Sequence, residues 1–78
     1  MTRYARRIEW VLEPVDVNED IIDPWHYKTE REARAHVDVA FKRFPEAVRV
    51  DMARCTRTGN DDEGEVKRDY DYRATFAR

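Results

Sequence analysis

Two histidines and one cysteine are the residues of this chain best suited to catalysis. Nucleophilic catalysis requires a nucleophile within hydrogen-bond reach of an oriented base. The chain contains no serine, and Cys55 lies in an alternating, strand-like segment without a neighbouring base in sequence. His26 follows Trp25, and His36 lies beside an apolar helical stripe. We therefore expect ordinary, partly buried roles for all three residues and predict no enzymatic activity.

A polar loop near the C-terminus is the best candidate for a metal site. Asn60, Asp61, Asp62 and Glu63 supply oxygen ligands. Adjacent side chains do not converge easily on one ion, and the spaced ligand pattern of a calcium loop is absent. With two glycines, the chain also lacks a glycine-rich phosphate-binding motif. We expect no metal and no cofactor, and interpret the loop as a solvated hairpin tip.

Two acidic blocks carry the main indication of function. One spans residues 13–23 and contains no basic residue, and the other lies in the late polar loop. Either block alone is more typical of a solvated loop. Together they predict a negative surface that engages a basic groove on another protein. Trp25 would act as an aromatic anchor or as a cap on the core. The candidate protein-binding residues are Asp16, Glu19, Asp20, Asp23, Trp25, Asp61, Asp62 and Glu63.

Basic residues along the strands support an alternative, because basic sheets that carry aromatic side chains bind single-stranded nucleic acid. The candidate residues are Arg7, Arg49, Arg54, Arg57, Lys67 and Arg73. Two observations weigh against this alternative. Alternation places the aromatic residues of the last segment on the face toward the helix. Acidic residues are also interleaved with the basic ones, and cross-strand charge pairing explains that mixture at least as well. These acidic residues are Glu9, Asp51, Asp69 and Asp71.

The elements that must position these residues begin with a strand. Ile8, Trp10 and Leu12 alternate with polar residues, which predicts a half-buried strand that Pro14 ends or marks as an edge. Residues 20–27 are ambiguous between a short second strand and an extended loop. Pro24 confines any strand there to an edge of the sheet.

A helix is predicted over residues 30–44. Thr29 and Glu32 form a capping box, in which each side chain accepts from the backbone N–H of the other residue. An apolar stripe at helical spacing follows, and Pro45 ends the helix. The stripe consists of Ala33, Val37, Ala40, Phe41 and Phe44.

A long hairpin follows, with residues 47–57 paired to residues 65–76. Both glycines lie between these segments, which suits the positive φ of a hairpin end. In the last segment Val66, Tyr70, Tyr72, Ala74 and Phe76 alternate onto one face, which Arg68 interrupts. The element order predicts one α+β domain over residues 1–78. A single helix packs on one face of a three- or four-stranded antiparallel sheet, in the order β-(β)-α-β-β.

Composition limits the range of functions. A chain of 78 residues forms one core and has little volume for an enclosed active site. Fifteen basic residues nearly cancel seventeen acidic ones, whereas a dedicated nucleic-acid binder of this size is usually clearly basic. One cysteine excludes an internal disulfide, and no apolar run is long enough to cross a bilayer. We expect a cytoplasmic protein, as a monomer or a homodimer.

Several short segments together resemble small orphan proteins encoded by phages and mobile elements of proteobacteria. These segments are residues 8–13, residues 20–23, Tyr27 with residues 29–33, and residues 59–64 with Tyr70 and Tyr72. The class includes anti-CRISPR inhibitors, which present acidic side chains to Cas surfaces where nucleic acid would lie. The resemblance implies a small protein-binding inhibitor or adaptor, of anti-CRISPR type, acting on a host protein in the host cytoplasm. A small nucleic-acid-binding regulator is the alternative.

Overall fold

The computed structural model describes residues 5–60 and 65–78. Four strands form one antiparallel sheet in the order β2-β1-β3-β4, and two short helices pack on one of its faces. The predicted α+β class is therefore confirmed, and the ambiguous segment near residue 25 is a short edge strand. The elements are β1 Ala5–Val15, β2 Trp25–Tyr27, α1 Glu30–Ala35, α2 Val37–Arg43, β3 Arg49–Asn60 and β4 Glu65–Ala77.

The hydrophobic core lies at one end of the sheet. Leu12 of β1 and Val50 and Met52 of β3 pack against Ala33 of α1 and Val37 of α2. All five side chains are almost fully buried. Because β3 and β4 extend well past the two short helices, the molecule is elongated, with extents of 48 × 26 × 18 Å. The sheet therefore has a core end and a distal end.

The helical region is two helices rather than the single helix predicted over residues 30–44. His36 separates them: its Nδ1 donates to the Glu32 carbonyl at 2.7 Å, and its ring stacks on Tyr27 at 4.8 Å. The backbone N–H of His36 donates to the carbonyl of Ala33, three residues earlier, as in a 3₁₀-helix. In a continuous α-helix it would donate to the carbonyl of Glu32. The capping bond from the Glu32 N–H to the Thr29 hydroxyl is present at 3.1 Å. No helix within the described residues is long and apolar enough to span a membrane.

Strand β1 does not end at Pro14 but continues to Val15. Pro14 is paired with Val50 in the register of β1 and β3. Its carbonyl accepts from the Ile22 N–H at 2.7 Å, on the side away from β3. Because both backbone groups of a residue point toward the same neighbouring strand, the N–H that proline lacks is not needed for pairing with β3.

A β-bulge at Arg73 changes which face of the sheet the even-numbered side chains of β4 occupy. Met52 pairs with Ala74, whereas the next residue, Ala53, pairs with Tyr72, so Arg73 is the extra residue. Since an extra residue shifts the alternation by one, the side chains before and after it exchange faces. The prediction that Tyr70 and Tyr72 share a face with Ala74 and Phe76 is therefore wrong. Ala74 and Phe76 pack on the core, and the two tyrosines lie on the opposite face.

Candidate functional site

The sheet face opposite the helices, here called the open face, carries the candidate site. The loop after β1 reaches only its core end, where Glu19 binds Arg49. Residues paired in register share a face, so the rows across β1, β3 and β4 can be read directly. From the distal end toward the core end they are Arg7–Arg57–Arg68, Glu9–Cys55–Tyr70, Val11–Ala53–Tyr72 and Glu13–Asp51–Thr75.

Tyr72 lies flat across the sheet. Its hydroxyl donates to Oε1 of Glu13 at 2.7 Å, although Tyr72 is on β4 and Glu13 is on β1. The ring must therefore pass over β3, where Ala53 has no side chain beyond Cβ to obstruct it. Ala53 and Val11 are almost fully buried on this face, whereas Tyr72 is 57% exposed. One face of the ring thus covers the sheet, and the other faces solvent.

Tyr70 has a similar position one row farther from the core end. It is paired with Cys55, whose buried thiol lies beside it, and it is 48% exposed. Burial and the neighbouring thiol raise the pKa of Tyr70 above its ordinary value. The hydrogen bond to Glu13 raises the pKa of Tyr72 to about 12. Both phenols are therefore neutral near pH 7. We call the two rings the tyrosine platform.

Three arginines form a row at the distal side of the tyrosine platform. Arg7, Arg57 and Arg68 are directly opposite one another on three adjacent strands, and we call them the arginine row. Arg57 makes a further contact within the chain. Guanidinium groups form charge-assisted hydrogen bonds with phosphate oxygens. The row is therefore well suited to phosphate groups.

The acidic residues of the open face are held by partners within the chain. Glu9 binds the His26 ring at 3.0 Å, and Glu13 accepts from Tyr72. Asp51 accepts from the Arg49 Nε at 3.3 Å and from the Thr75 hydroxyl at 2.9 Å. These contacts reduce the repulsion that the three carboxylates would exert on an approaching anion.

The structure divides the candidate nucleic-acid-binding residues among several places. Arg7 and Arg57 lie in the arginine row, whereas Arg49 is bound to Glu19 and Asp51 at the core end. Arg54 and Lys67 fall on the helix side of the sheet, and Arg73 occupies the bulge and binds Asp71. The acidic Asp69 and Asp71 are also on the helix side. Two of the four interleaved acidic residues thus leave the open face, together with the basic Arg54 and Lys67.

The candidate protein-binding residues that the structure describes lie in the turn after β1 or near the start of β2. Asp16 accepts from the N–H groups of Asn18 and Asp20, which shapes the turn after β1. Glu19 is bound to Arg49, and this hydrogen bond lowers the pKa of Glu19. Asp61, Asp62 and Glu63 lie outside the described residues.

Asp23 and Trp25 line an apolar cleft between β2 and α2. The cleft has a volume of about 240 Å³. Trp25 is half exposed, and the Arg43 guanidinium lies 5.0 Å from its ring centroid, a cation–π contact. The apolar lining residues are Leu12, Pro14, Trp25, Tyr27, Val39, Ala40 and Phe44.

Sequence reasoning missed Tyr70, Tyr72 and Arg68 as residues of an exposed surface. In β4 the apolar positions keep the same parity on both sides of Arg73, so alternation gives no sign of the bulge. Strand β3 does carry a signal. Its apolar residues change parity, from Val50 and Met52 to Ala53 and Cys55, which indicates that the covered face changes along the strand.

Comparisons with other proteins provide no family for this chain. No protein-family model matches it, and neither a curated protein nor a solved structure matches it significantly. Within residues 5–60 and 65–78, no three histidine, cysteine, aspartate or glutamate side chains are grouped to hold a metal ion. Inference about function therefore starts from the surface chemistry described above.

Proposed function

We propose that this protein binds single-stranded nucleic acid on the open face. Two bases stack on the tyrosine platform, and the adjoining phosphates contact the arginine row. The observation that carries the proposal is the flat, half-exposed ring of Tyr72, which its bond to Glu13 holds against the sheet. Aromatic rings presented this way stack on any base, and stacking contributes about 1–3 kcal/mol per base.

The spacing of the site supports this proposal. Tyr70 and Tyr72 are two residues apart on one strand, which separates them by about 7 Å and leaves room for one base on each ring. Arg68 precedes Tyr70 by the same interval on the same face. An extended strand running along β4 would thus meet a guanidinium and then two rings.

The proposal is tested by fluorescence anisotropy with a labelled, mixed-sequence single strand of about 12 nucleotides, a length typical of such sites. Wild-type protein should bind at low salt. Tyr72→Ala should weaken binding at least fivefold, whereas Tyr72→Phe should retain most of the affinity because stacking needs the ring and not the hydroxyl. Equal affinity of wild type and Tyr72→Ala would contradict the proposal, as would absence of binding at low salt.

Arg68 provides the electrostatic test. Each phosphate contact on a single strand contributes about −0.7 to the slope of log K against log salt. Arg68→Gln should therefore make the slope shallower by roughly that amount. Arg31→Gln is the matched control, because Arg31 lies on α1, on the other side of the sheet. An equal change of slope in both variants would indicate a general effect of charge.

Protein binding at the Trp25 cleft is a second candidate function. It is supported by the half-exposed Trp25 next to an apolar cleft, since buried aromatic anchors dominate interface energies. This is the inhibitor or adaptor function that the resemblance to phage-encoded proteins implies, and Asp23 on the cleft rim would face a basic partner. We expect either function to operate in the cytoplasm, because a lone thiol such as Cys55 stays reduced there.

The two functions use different surfaces, so point variants distinguish them. A host protein captured in a stoichiometric complex by wild type and by Tyr72→Ala, but not by Trp25→Ala, would support the cleft. Loss of the complex in Tyr72→Ala with retention in Trp25→Ala would instead assign a protein partner to the open face. Each variant needs a circular dichroism spectrum like that of wild type for the comparison to be valid.

A further inference from the structure

Two carboxylates border the tyrosine platform on its β1 side. Glu9 is in the row of Tyr70, on the far side of Cys55, and Glu13 accepts the hydroxyl of Tyr72. Glu13 is only 8% exposed, because Tyr72 covers it. The side chain of Glu9 is 35% exposed, and its Oε2 is held by Nδ1 of His26 at 3.0 Å. Of the two, Glu9 has the carboxylate that a ligand can reach.

A held carboxylate in this position accepts hydrogen bonds and donates none. A base stacked on Tyr70 would point one edge across β3 toward Glu9, since neighbouring strands are about 5 Å apart. Cytosine and adenine carry exocyclic amino groups that donate to a carboxylate. Uracil and thymine present carbonyl oxygens at the equivalent position, and a carboxylate repels them.

We infer that Glu9 is a specificity-determining residue that favours amino-bearing bases over uracil and thymine on the tyrosine platform. This inference rests on the proposed binding of single-stranded nucleic acid. Glu9 weakens the attraction for phosphate but selects the base edge, so the pair of Glu9 and His26 reads bases while the arginine row binds the backbone. His26 belongs to the edge strand β2 and is paired with Val11, which orients its ring toward Glu9.

The test compares oligodeoxycytidine with oligodeoxyuridine of about 12 nucleotides at neutral pH. The two bases are pyrimidines of equal size, so stacking is closely matched and the exocyclic group is the main difference. Wild type should bind the cytidine strand about tenfold more tightly. Glu9→Gln should bring this ratio close to one, because an amide both donates and accepts.

Glu46→Gln is the matched control, because it makes the same charge change in the turn after α2. It should leave the cytidine-to-uridine ratio unchanged even if both affinities rise. Equal wild-type affinity for the two strands would overturn the role of Glu9 and leave the proposed function intact. A ratio that persists in Glu9→Gln would also overturn it. Absence of binding to either strand would overturn the proposed function together with this inference.

Discussion

At the scale of single residues, the bond between Tyr72 and Glu13 links structure and candidate function. It crosses three strands, seals Val11 and Ala53 from solvent, and fixes the ring that a base would stack on. A tyrosine with an unconstrained side chain would lose rotamer freedom on binding, whereas this ring is already oriented. The same bond gives Tyr72 a distinctive titration.

We predict that Tyr72 ionises near pH 12, because its hydrogen bond to Glu13 holds the proton and the ionised phenol would lie beside the Glu13 charge. The pKa of tyrosine in the unfolded chain is about 10. The folded-state pKa is raised, so the stabilisation is fully present below about pH 10 and is lost as the pH rises toward 12. Tyrosinate absorbance should show a component near pH 12 that disappears in Tyr72→Phe, while the raised titrations of Tyr70 and Tyr27 remain.

Glu13→Gln provides the complementary measurement. With the carboxylate replaced by an amide, the pKa of Tyr72 should fall toward the ordinary value of tyrosine. The unfolding free energy should then depend less on pH between about 10 and 12. An unchanged late titration in Glu13→Gln would show that burial, and not the bond to Glu13, controls the ionisation of Tyr72.

At the scale of elements, the bulge in β4 decides what each side of the sheet presents. Residues after Arg73 complete the core with Ala74 and Phe76, and residues before it build the open face. One extra residue thus places the even-numbered residues of a single strand on two different faces. A single residue also divides the helical region. His36 contacts Glu32 and Tyr27 at the point where the predicted helix is interrupted.

We predict that deletion of Arg73 is tolerated. Tyr72 remains opposite Ala53 and Ala74 remains opposite Met52, so both registers survive in a regular ladder. The exposed ion pair between Arg73 and Asp71 would be lost, at a cost of about 0–1 kcal/mol. Chemical denaturation should therefore show a small loss of stability.

Deletion of Thr75 is the matched control for this prediction. It moves Phe76 one position along β4 and onto the wrong face, away from the core. Truncation of a buried phenylalanine costs roughly 3–5 kcal/mol of unfolding free energy. The loss here should be somewhat smaller, because Phe76 is only partly buried. If deletion of Arg73 proved as costly as deletion of Thr75, the bulge would be needed for folding itself.

At the scale of the whole molecule, stability is uneven along the sheet. The helices cover Val50 and Met52 but not the distal parts of β3 and β4. Ile8, on the helix side but beyond the helices, is 45% exposed. The arginine row lies in this less protected half of the sheet, where pairing depends on backbone hydrogen bonds more than on burial.

Amide hydrogen exchange should report this gradient. Amides near Val50 and Met52 should exchange only on global unfolding, while those near Thr58 should exchange through local opening. Bound single-stranded nucleic acid should slow exchange near Arg57 and Arg68 and leave α1 unaffected. Uniform protection along β3 would contradict the gradient.

The sequence by itself determined the fold class, the capped helix start, the first strand and the C-terminal hairpin. These follow from local patterns, because capping, turn chemistry and periodicity act over a few residues.

Only the tertiary structure decided which side chains share the open face. The face of Tyr70 and Tyr72 depends on the pairing of β4 with β3, and one unpaired residue, Arg73, reverses it without altering the apolar pattern. The arginine row likewise exists only through the register of three strands that are far apart in sequence. Register is a property of pairing between strands, so no single segment of the sequence contains it.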